Sequence, residues 1–271
     1  MTGQAPHSSD VVIIGGGVIG SAVAYFLGAN ADFNGHVTVV EMDPSYQFGT
    51  TGRSVAGLRL QFSTPENIAC SRFGIDFVRH VADFLSLAGE APALSYRERG
   101  YLSLATPEGA YQLRENRAVQ QSAGVDNLLL DKAGLAERFP WMCADDLEVA
   151  CFGHQDEGWV DPHALLQGFR RKAQSLGAVY LEDRVTGLEL SKGQVCAVTL
   201  ASGDRIACGQ VVNAAGARSR DIAAMVGVDL DVWPRKRQVF VFSCRSEIPN
   251  CPLVFDPSGL YFRPEGNFFL T

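Results

Sequence analysis

Nowhere do two cysteines stand in a C-x-x-C pair. The seven present, Cys70, Cys143, Cys151, Cys196, Cys208, Cys244 and Cys251, are odd in number and scattered. That spacing speaks against a structural zinc and a disulfide scaffold, and reads as reduced, buried thiols of a cytosolic protein. Positive charge is in short supply, since 23 Lys and Arg against 30 Asp and Glu leave a net charge of −7. The chain thus lacks the electrostatic footprint of a partner for nucleic acid or an anionic membrane. Residues 1–10 contain no Lys or Arg, hence no basic region of a signal peptide and no Arg-rich transit sequence, and the expected location is cytoplasmic. The five histidines form no metal set and no Ser-His-Asp arrangement, and there is no internal repeat or low-complexity tract. Against these absences, 46% hydrophobic and 20% charged residues are ordinary for a globular protein. The 271 residues suit two domains, or one with an inserted lobe.

Residues 11–31 carry no charge, a length that could cross a bilayer. Three consecutive glycines, Gly15 to Gly17, instead cut the stretch into strand, turn and helix. The β-branched run Val11-Val12-Ile13-Ile14 has the pattern of a parallel strand covered on both faces. It leads into Gly15-x-Gly17-x-x-Gly20, then a helix over 18–27, then a second strand over 37–40 that ends at Glu41. Gly15 permits the tight turn, Gly17 admits a pyrophosphate to the helix N-terminus, and Gly20 lets helix and strand pack closely. Val18 and Ile19 open that helix. Glu41 stands where a carboxylate accepts hydrogen bonds from ribose hydroxyls and repels a 2′-phosphate. This pattern predicts dinucleotide binding and leaves NAD and FAD both open.

After Glu41 the chain reads Met42-Asp43-Pro44, then Gly49-Thr50-Thr51-Gly52-Arg53-Ser54-Val55-Ala56-Gly57-Leu58-Arg59-Leu60-Gln61. This small, polar, Gly-punctuated stretch resembles the FAD-dependent amine and amino-acid oxidoreductases of the D-amino-acid oxidase superfamily, such as sarcosine oxidase, glycine oxidase and dimethylglycine dehydrogenase. Gly158-Trp159-Val160-Asp161-Pro162, residues 179–185, 211–217 (Val-Val-Asn-Ala-Ala-Gly-Ala), Pro234-x-x-x-Gln238 and Gly259-Leu260-Tyr261-Phe262-Arg263-Pro264 continue the resemblance in order across residues 10–270. It departs at Arg218, where the family commonly has Trp, and at Ser54, where relatives with covalent FAD carry the attaching His.

The resemblance implies an α/β chain, α+β overall, with a Rossmann-like FAD-binding domain over 9–90 and 154–230. A substrate lobe with an antiparallel sheet would be inserted over 91–153 and 231–271. It implies non-covalent FAD held by Gly15, Gly17, Val18, Ile19, Gly20, Glu41, Met42, Thr50, Thr51, Arg53, Ser54, Gly57, the backbone of Val185, and Ala214, Ala215 and Gly216. Arg59, in an apolar local run, is the candidate partner of a substrate carboxylate, for which a guanidinium fork is well suited. Tyr261 matches a position where relatives place an aromatic hydroxyl near the substrate. The implied activity is oxidation of the C–N bond of a small amine or amino acid, with electrons passed to oxygen or another acceptor. A non-catalytic FAD-binding protein and an NAD-dependent dehydrogenase are the alternatives.

The remaining pattern predicts strands at 100–105, 238–243, 253–256 and 260–263, helices at 109–123 and 163–176, and a hairpin turn at Ser202-Gly203-Asp204. Ser63-Thr64-Pro65 reads as a side-chain cap and first turn of a helix. Residues 268–271 end inside an apolar strand, and relatives by resemblance continue with a flavin-binding Gly-rich stretch, so the chain is expected to be the N-terminal part of a longer protein.

Overall fold

The computed structural model describes residues 5–271. The chain divides into two compact units. The first comprises residues up to Ser54, Ala82–Ala93 and Pro162–Arg237; the second comprises Val55–Val81, Leu94–Asp161 and Gln238–Thr271.

The first unit is organised by the strand Ser8–Ile14, whose residues Val11 to Ile14 are all buried. It pairs in parallel with Val37–Glu41 on one side and Arg205–Asn213 on the other, and Val179–Glu182 adds a further parallel strand beyond Val37–Glu41. Gln194–Leu200 and Val185–Ser191 extend the sheet antiparallel, giving six strands. Alternation along the first strand sends Ile13 toward the helix Val18–Ala29, while Val12 and Ile14 join Val40, Leu181, Val198, Ile206 and Ile222 in a cluster on the opposite face. Helix Pro162–Ser175 packs beside helix Val18–Ala29, with Phe169 against Tyr25 at a centroid separation of 5.6 Å.

The second unit contains a seven-stranded sheet. Its order is Val241–Phe242, Phe268–Leu270, Tyr261–Glu265, Leu253–Phe255, Tyr101–Ala105, Val149–Gly153 and Leu128–Leu130. One face buries Leu102, Ala150, Phe152 and Val254 under Leu135 and Phe139. Helix Lys132–Arg138, which supplies Leu135, is capped by Asp131, whose carboxylate accepts from the Gly134 N–H at 2.8 Å. A two-stranded ribbon, Gly57–Leu58 with Gly158–Trp159, completes the strands. Helix Pro65–Arg79 buries Ile68 and Ile75 against Leu60 and Val125.

Several expectations are refined or corrected. The hairpin turn expected at 202–204 is present, and the chain after it runs as one continuous strand, Arg205–Asn213, into the segment 211–217. The antiparallel sheet expected in the second lobe is present, with one parallel pairing inside it, Leu253–Phe255 beside Tyr101–Ala105. The strand expected over 238–243 shrinks to Val241–Phe242, since an edge strand extends no further than its sole neighbour and Phe268–Leu270 has three residues. The Thr64 side chain makes no capping bond; Pro65 opens the helix instead, in the first turn, where its missing N–H costs nothing. Of the thiols, only Cys151 and Cys251 are buried, whereas Cys70, Cys143 and Cys244 are exposed. Residues 55–81 and 154–161 group with the second unit and 91–93 and 231–237 with the first, because Ile68 and Ile75 pack on Leu60 and Val125, while Pro92 lies against Gly168 and Trp233 against Arg220.

Leu102 is fully buried on the interior strand Tyr101–Ala105, on the apolar face of the sheet. Leu102→Ala removes packing the site cannot recover and should lower the unfolding free energy by about 2–5 kcal/mol. Urea unfolding should show a lower midpoint at unchanged slope.

Candidate functional site

In the first unit the turn after the first strand is set by two close approaches. Gly15 takes a φ of +98°, and its N–H donates to the Val40 carbonyl at 2.9 Å. A Cβ on Gly20 would lie 1.9 Å from the Gly15 carbonyl oxygen, so only glycine lets helix Val18–Ala29 start this near the strand. Gly17 differs. Its φ of −61° suits any residue, and a Cβ there would meet only the Thr51 hydroxyl, at 3.4 Å. The protein's own packing leaves open space at Gly17, beside the helix N-terminus, where backbone N–H groups and the helix dipole favour an anion.

The carboxylate of Glu41 closes this turn from the end of the second strand. Its Oε2 accepts from the Gly16 N–H at 2.7 Å and its Oε1 from the Asp43 N–H at 2.8 Å, while each oxygen retains capacity for a further donor. Thr51 Oγ1 accepts from the Val18 N–H at 3.2 Å. Ile19 and Met42 are exposed, at 67% and 48%, on either side of this turn. Thr50 Oγ1 is 3.9 Å from where a Gly216 Cβ would stand; Ala214 N–H donates to the Ile14 carbonyl and Ala215 N–H to Asn213 Oδ1. These contacts draw Gly15, Gly17, Val18, Gly20, Glu41, Thr50, Thr51, Ala214, Ala215 and Gly216 around one end of the sheet. Arg53 lies over the Phe48 ring at 5.8 Å, Ser54 is exposed, and Val185 is buried in the core cluster. Gly57 lies in the second unit, where a Cβ would approach Leu253 Cδ1 at 2.9 Å.

Residues not singled out from sequence buttress the turn. Ser21 Oγ donates to the Gly16 carbonyl at 2.8 Å and accepts from the Tyr180 hydroxyl at 3.1 Å. The Arg170 guanidinium lies 5.5 Å from both the Tyr180 and Tyr46 rings, and burial pushes the Tyr46 phenol up to about 12. The only sequence signal was the small polar Ser21 on an otherwise apolar helix start.

In the second unit, Arg59 Nη1 donates to the Tyr101 hydroxyl at 2.9 Å. The guanidinium lies over the Phe62 ring at 4.7 Å and the Tyr101 ring at 5.5 Å, and its buried Nε has no acceptor. Burial raises the Tyr101 phenol, which stays neutral at ordinary pH. A half-buried guanidinium held by one hydrogen bond and two aromatic rings is equipped to receive an anionic oxygen. Tyr261 is not among the contacts of Arg59; it is half-buried and stacks on Phe255 with 14° between ring planes. Glu157 and Gln61 belong to the same polar layer without a sequence motif to mark them. Glu157 is fully buried, and its carboxylate accepts from the Leu60 N–H and, at 2.8 Å, from Gln61 Nε2. Burial pushes it up to about 7. Arg263, also buried, donates from Nε to the Val55 carbonyl at 2.9 Å and lies over the Trp159 ring.

The model of the FAD dependent oxidoreductase family, DAO, matches residues 10–270. The chain belongs to this family. It is 37% identical over 297 residues to FAD-dependent oxidoreductase domain-containing protein 1 of Bos taurus, across 96% of this chain and 60% of that protein. It is 28% identical over 244 residues to sarcosine oxidase subunit beta of Rhizobium meliloti (strain 1021), across 87% of this chain and 56% of that one. The crystal structure of L-proline dehydrogenase from P.horikoshii matches with a TM-score of 0.83 at 24% identity, over 98% of this chain and 70% of that chain, a likeness of fold. The chain thus spans about 60% of the length of the first curated relative. The family's cofactor is FAD, which settles the choice the glycine fingerprint left open. Open space at Gly17, the helix N-terminus and the Glu41 carboxylate fit the pyrophosphate and ribose of its ADP half. No helix among the described residues is long and apolar enough to cross a membrane.

Glu41→Gln sets an amide donor against one of two backbone N–H groups and removes the charged acceptor for ribose, where charge-assisted hydrogen bonds contribute ~1.5–3 kcal/mol each. FAD affinity should fall at least about tenfold, or ~1.4 kcal/mol, in a flavin-fluorescence titration. Gly17→Ala should keep the circular dichroism spectrum and thermal midpoint of the parent while weakening FAD, because its Cβ clashes with nothing in the protein. Unchanged affinity in both would remove this turn from the cofactor site.

Proposed function

We propose that the protein is an FAD-dependent oxidoreductase acting on the C–N bond of a small amine or of a free or N-methylated amino acid. The bond is oxidised to an imine with loss of two electrons and two protons, and water then hydrolyses the imine to a carbonyl compound and the released amine. The observation that carries the reading is the half-buried Arg59 guanidinium, held by one hydrogen bond to Tyr101 and lying over the rings of Phe62 and Tyr101. The names of the relatives, sarcosine oxidase subunit beta and L-proline dehydrogenase, point to substrates bearing a carboxylate beside the reacting amine.

When bound, FAD supplies the two-electron acceptor. The chain's own residues would bind and orient. Arg59 takes the substrate carboxylate on its half-buried guanidinium, in the planar geometry a guanidinium offers a carboxylate. Tyr101 fixes the guanidinium through Nη1. Phe62 and Tyr101 limit water at the cation, which strengthens its attraction for an anion. Tyr261 offers a hydroxyl on the same unit, at the position the resemblance assigns to substrate contact. In the first unit, the Gly15 to Gly20 turn, Glu41 and Thr51 hold the ADP portion of the cofactor.

The test is anaerobic reduction of the flavin by a panel of amino acids and secondary amines, followed by bleaching of the yellow absorbance. Reduction by at least one carboxylate-bearing amine is expected; a flavin that no amine reduces would instead favour a binding or assembly role. Arg59→Lys keeps the charge but loses the fork, and should depress kcat/KM at least about tenfold for the reducing substrate, with flavin content unchanged. Parent kinetics in this variant would return Arg59 to a structural role.

A further inference from the structure

Glu157 sits in a polar layer sealed inside the second unit. Its two carboxylate oxygens face three donors, the Leu60 N–H, the Gln61 N–H and Gln61 Nε2. Gln61 Nε2 also donates to the Tyr101 carbonyl at 2.7 Å, and Gln61 Oε1 accepts from Ser103 Oγ at 2.9 Å, so the amide cannot turn over without breaking both bonds. Leu60 and Gln61 are the two residues that follow Arg59, and Tyr101 receives the Arg59 Nη1 bond. The strand Val149–Gly153 leaves room for this carboxylate only because position 153 has no side chain; a Cβ there would stand 1.8 Å from Glu157 Oε2.

We propose that Glu157 is a positioning residue for Arg59, holding the backbone after it through Leu60 and Gln61, and that Arg59 binds a carboxylate ligand tightly only while Glu157 is ionised. This rests on the reading of Arg59 as the substrate clamp. The logic is one of donors and acceptors. An ionised carboxylate accepts all three bonds, whereas a protonated one points an O–H at a donor, and the Gln61 side-chain amide or the backbone at Leu60 or Gln61 must then give way. Burial favours the protonated form and sets the midpoint at about 7. The titratable or charged neighbours are Arg59, Tyr101, Cys151 on the facing strand, and Tyr96. Burial holds the Cys151 thiol and the Tyr96 phenol at about 12 and raises the Tyr101 phenol, so these three stay neutral near pH 7 and Glu157 is the group that changes charge.

The probe is benzoate, a carboxylate without an amine to titrate, added to the FAD-loaded protein and followed by flavin absorbance and by calorimetry. Parent protein should bind benzoate about tenfold more weakly at about pH 6 than at about pH 8, as one proton at a midpoint near 7 dictates, releasing a proton on binding at the lower pH. Glu157→Gln, which carries one acceptor and one donor as the protonated acid does, should bind weakly with no pH dependence across that range. A parent affinity that does not change with pH, or the same pH profile in Glu157→Gln, overturns the proposal and leaves the Arg59 clamp standing. If the variant does not fold, the parent profile and its proton release decide alone. Benzoate binding that is absent, or unaffected by Arg59→Lys, defeats the clamp itself and this proposal with it.

Discussion

A backbone N–H that leaves helix and sheet must still find an acceptor, because an unpaired buried donor costs as much as a lost hydrogen bond. In both units, at the segment carrying the candidate chemistry, that acceptor is a glutamate supplied by a different element of the chain. Glu41 ties down the Gly16 and Asp43 N–H groups, fixing the turn between the first strand and its helix. Glu157 ties down the Leu60 N–H next to Arg59 across a separation of 97 residues. The two differ in exposure. Glu41 is half-buried and keeps lone pairs within reach of a ligand, so the group that builds the turn can also read what binds there. Glu157 is sealed, and its only outlet is through the residues it holds.

What could be read from sequence follows from the range of the interactions. The run Val11 to Ile14, the spacing of Gly15, Gly17 and Gly20, and Glu41 at the end of the next strand are local, and every constraint among them is met within about forty residues. The turn at Ser202 to Asp204 is local too. The parallel pairing of Leu253–Phe255 with Tyr101–Ala105 joins segments some 150 residues apart, with no turn to announce it. Glu157 was illegible for a related reason. A glutamate beside Gly158 looks solvated in a sequence, and its burial depends on Leu60, Gln61 and the missing side chain at Gly153 arriving together. The thiols erred in the opposite direction, because a cysteine is apolar enough to expect inside and small enough to tolerate outside, as Cys70 and Cys244 show.

Strand alternation explains how one sheet serves both a dry core and a polar layer. Along Tyr101–Ala105, Leu102 enters the apolar cluster with Phe152 and Val254, while Tyr101 and Ser103 point the other way, to Arg59 and Gln61. On Tyr261–Glu265 the same period sends Phe262 into the core and Arg263 toward Val55 and Trp159. The polar layer therefore needs no separate scaffold, since the burial of Leu102 and Phe262 fixes the register that presents Tyr101 and Arg263. A slip of one residue would put a tyrosine hydroxyl and a guanidinium into the apolar cluster, where neither finds a partner. The apolar face thus guards the geometry of the polar one, and a substitution in the core that loosens register would disturb the Arg59 contacts together with the unit's stability.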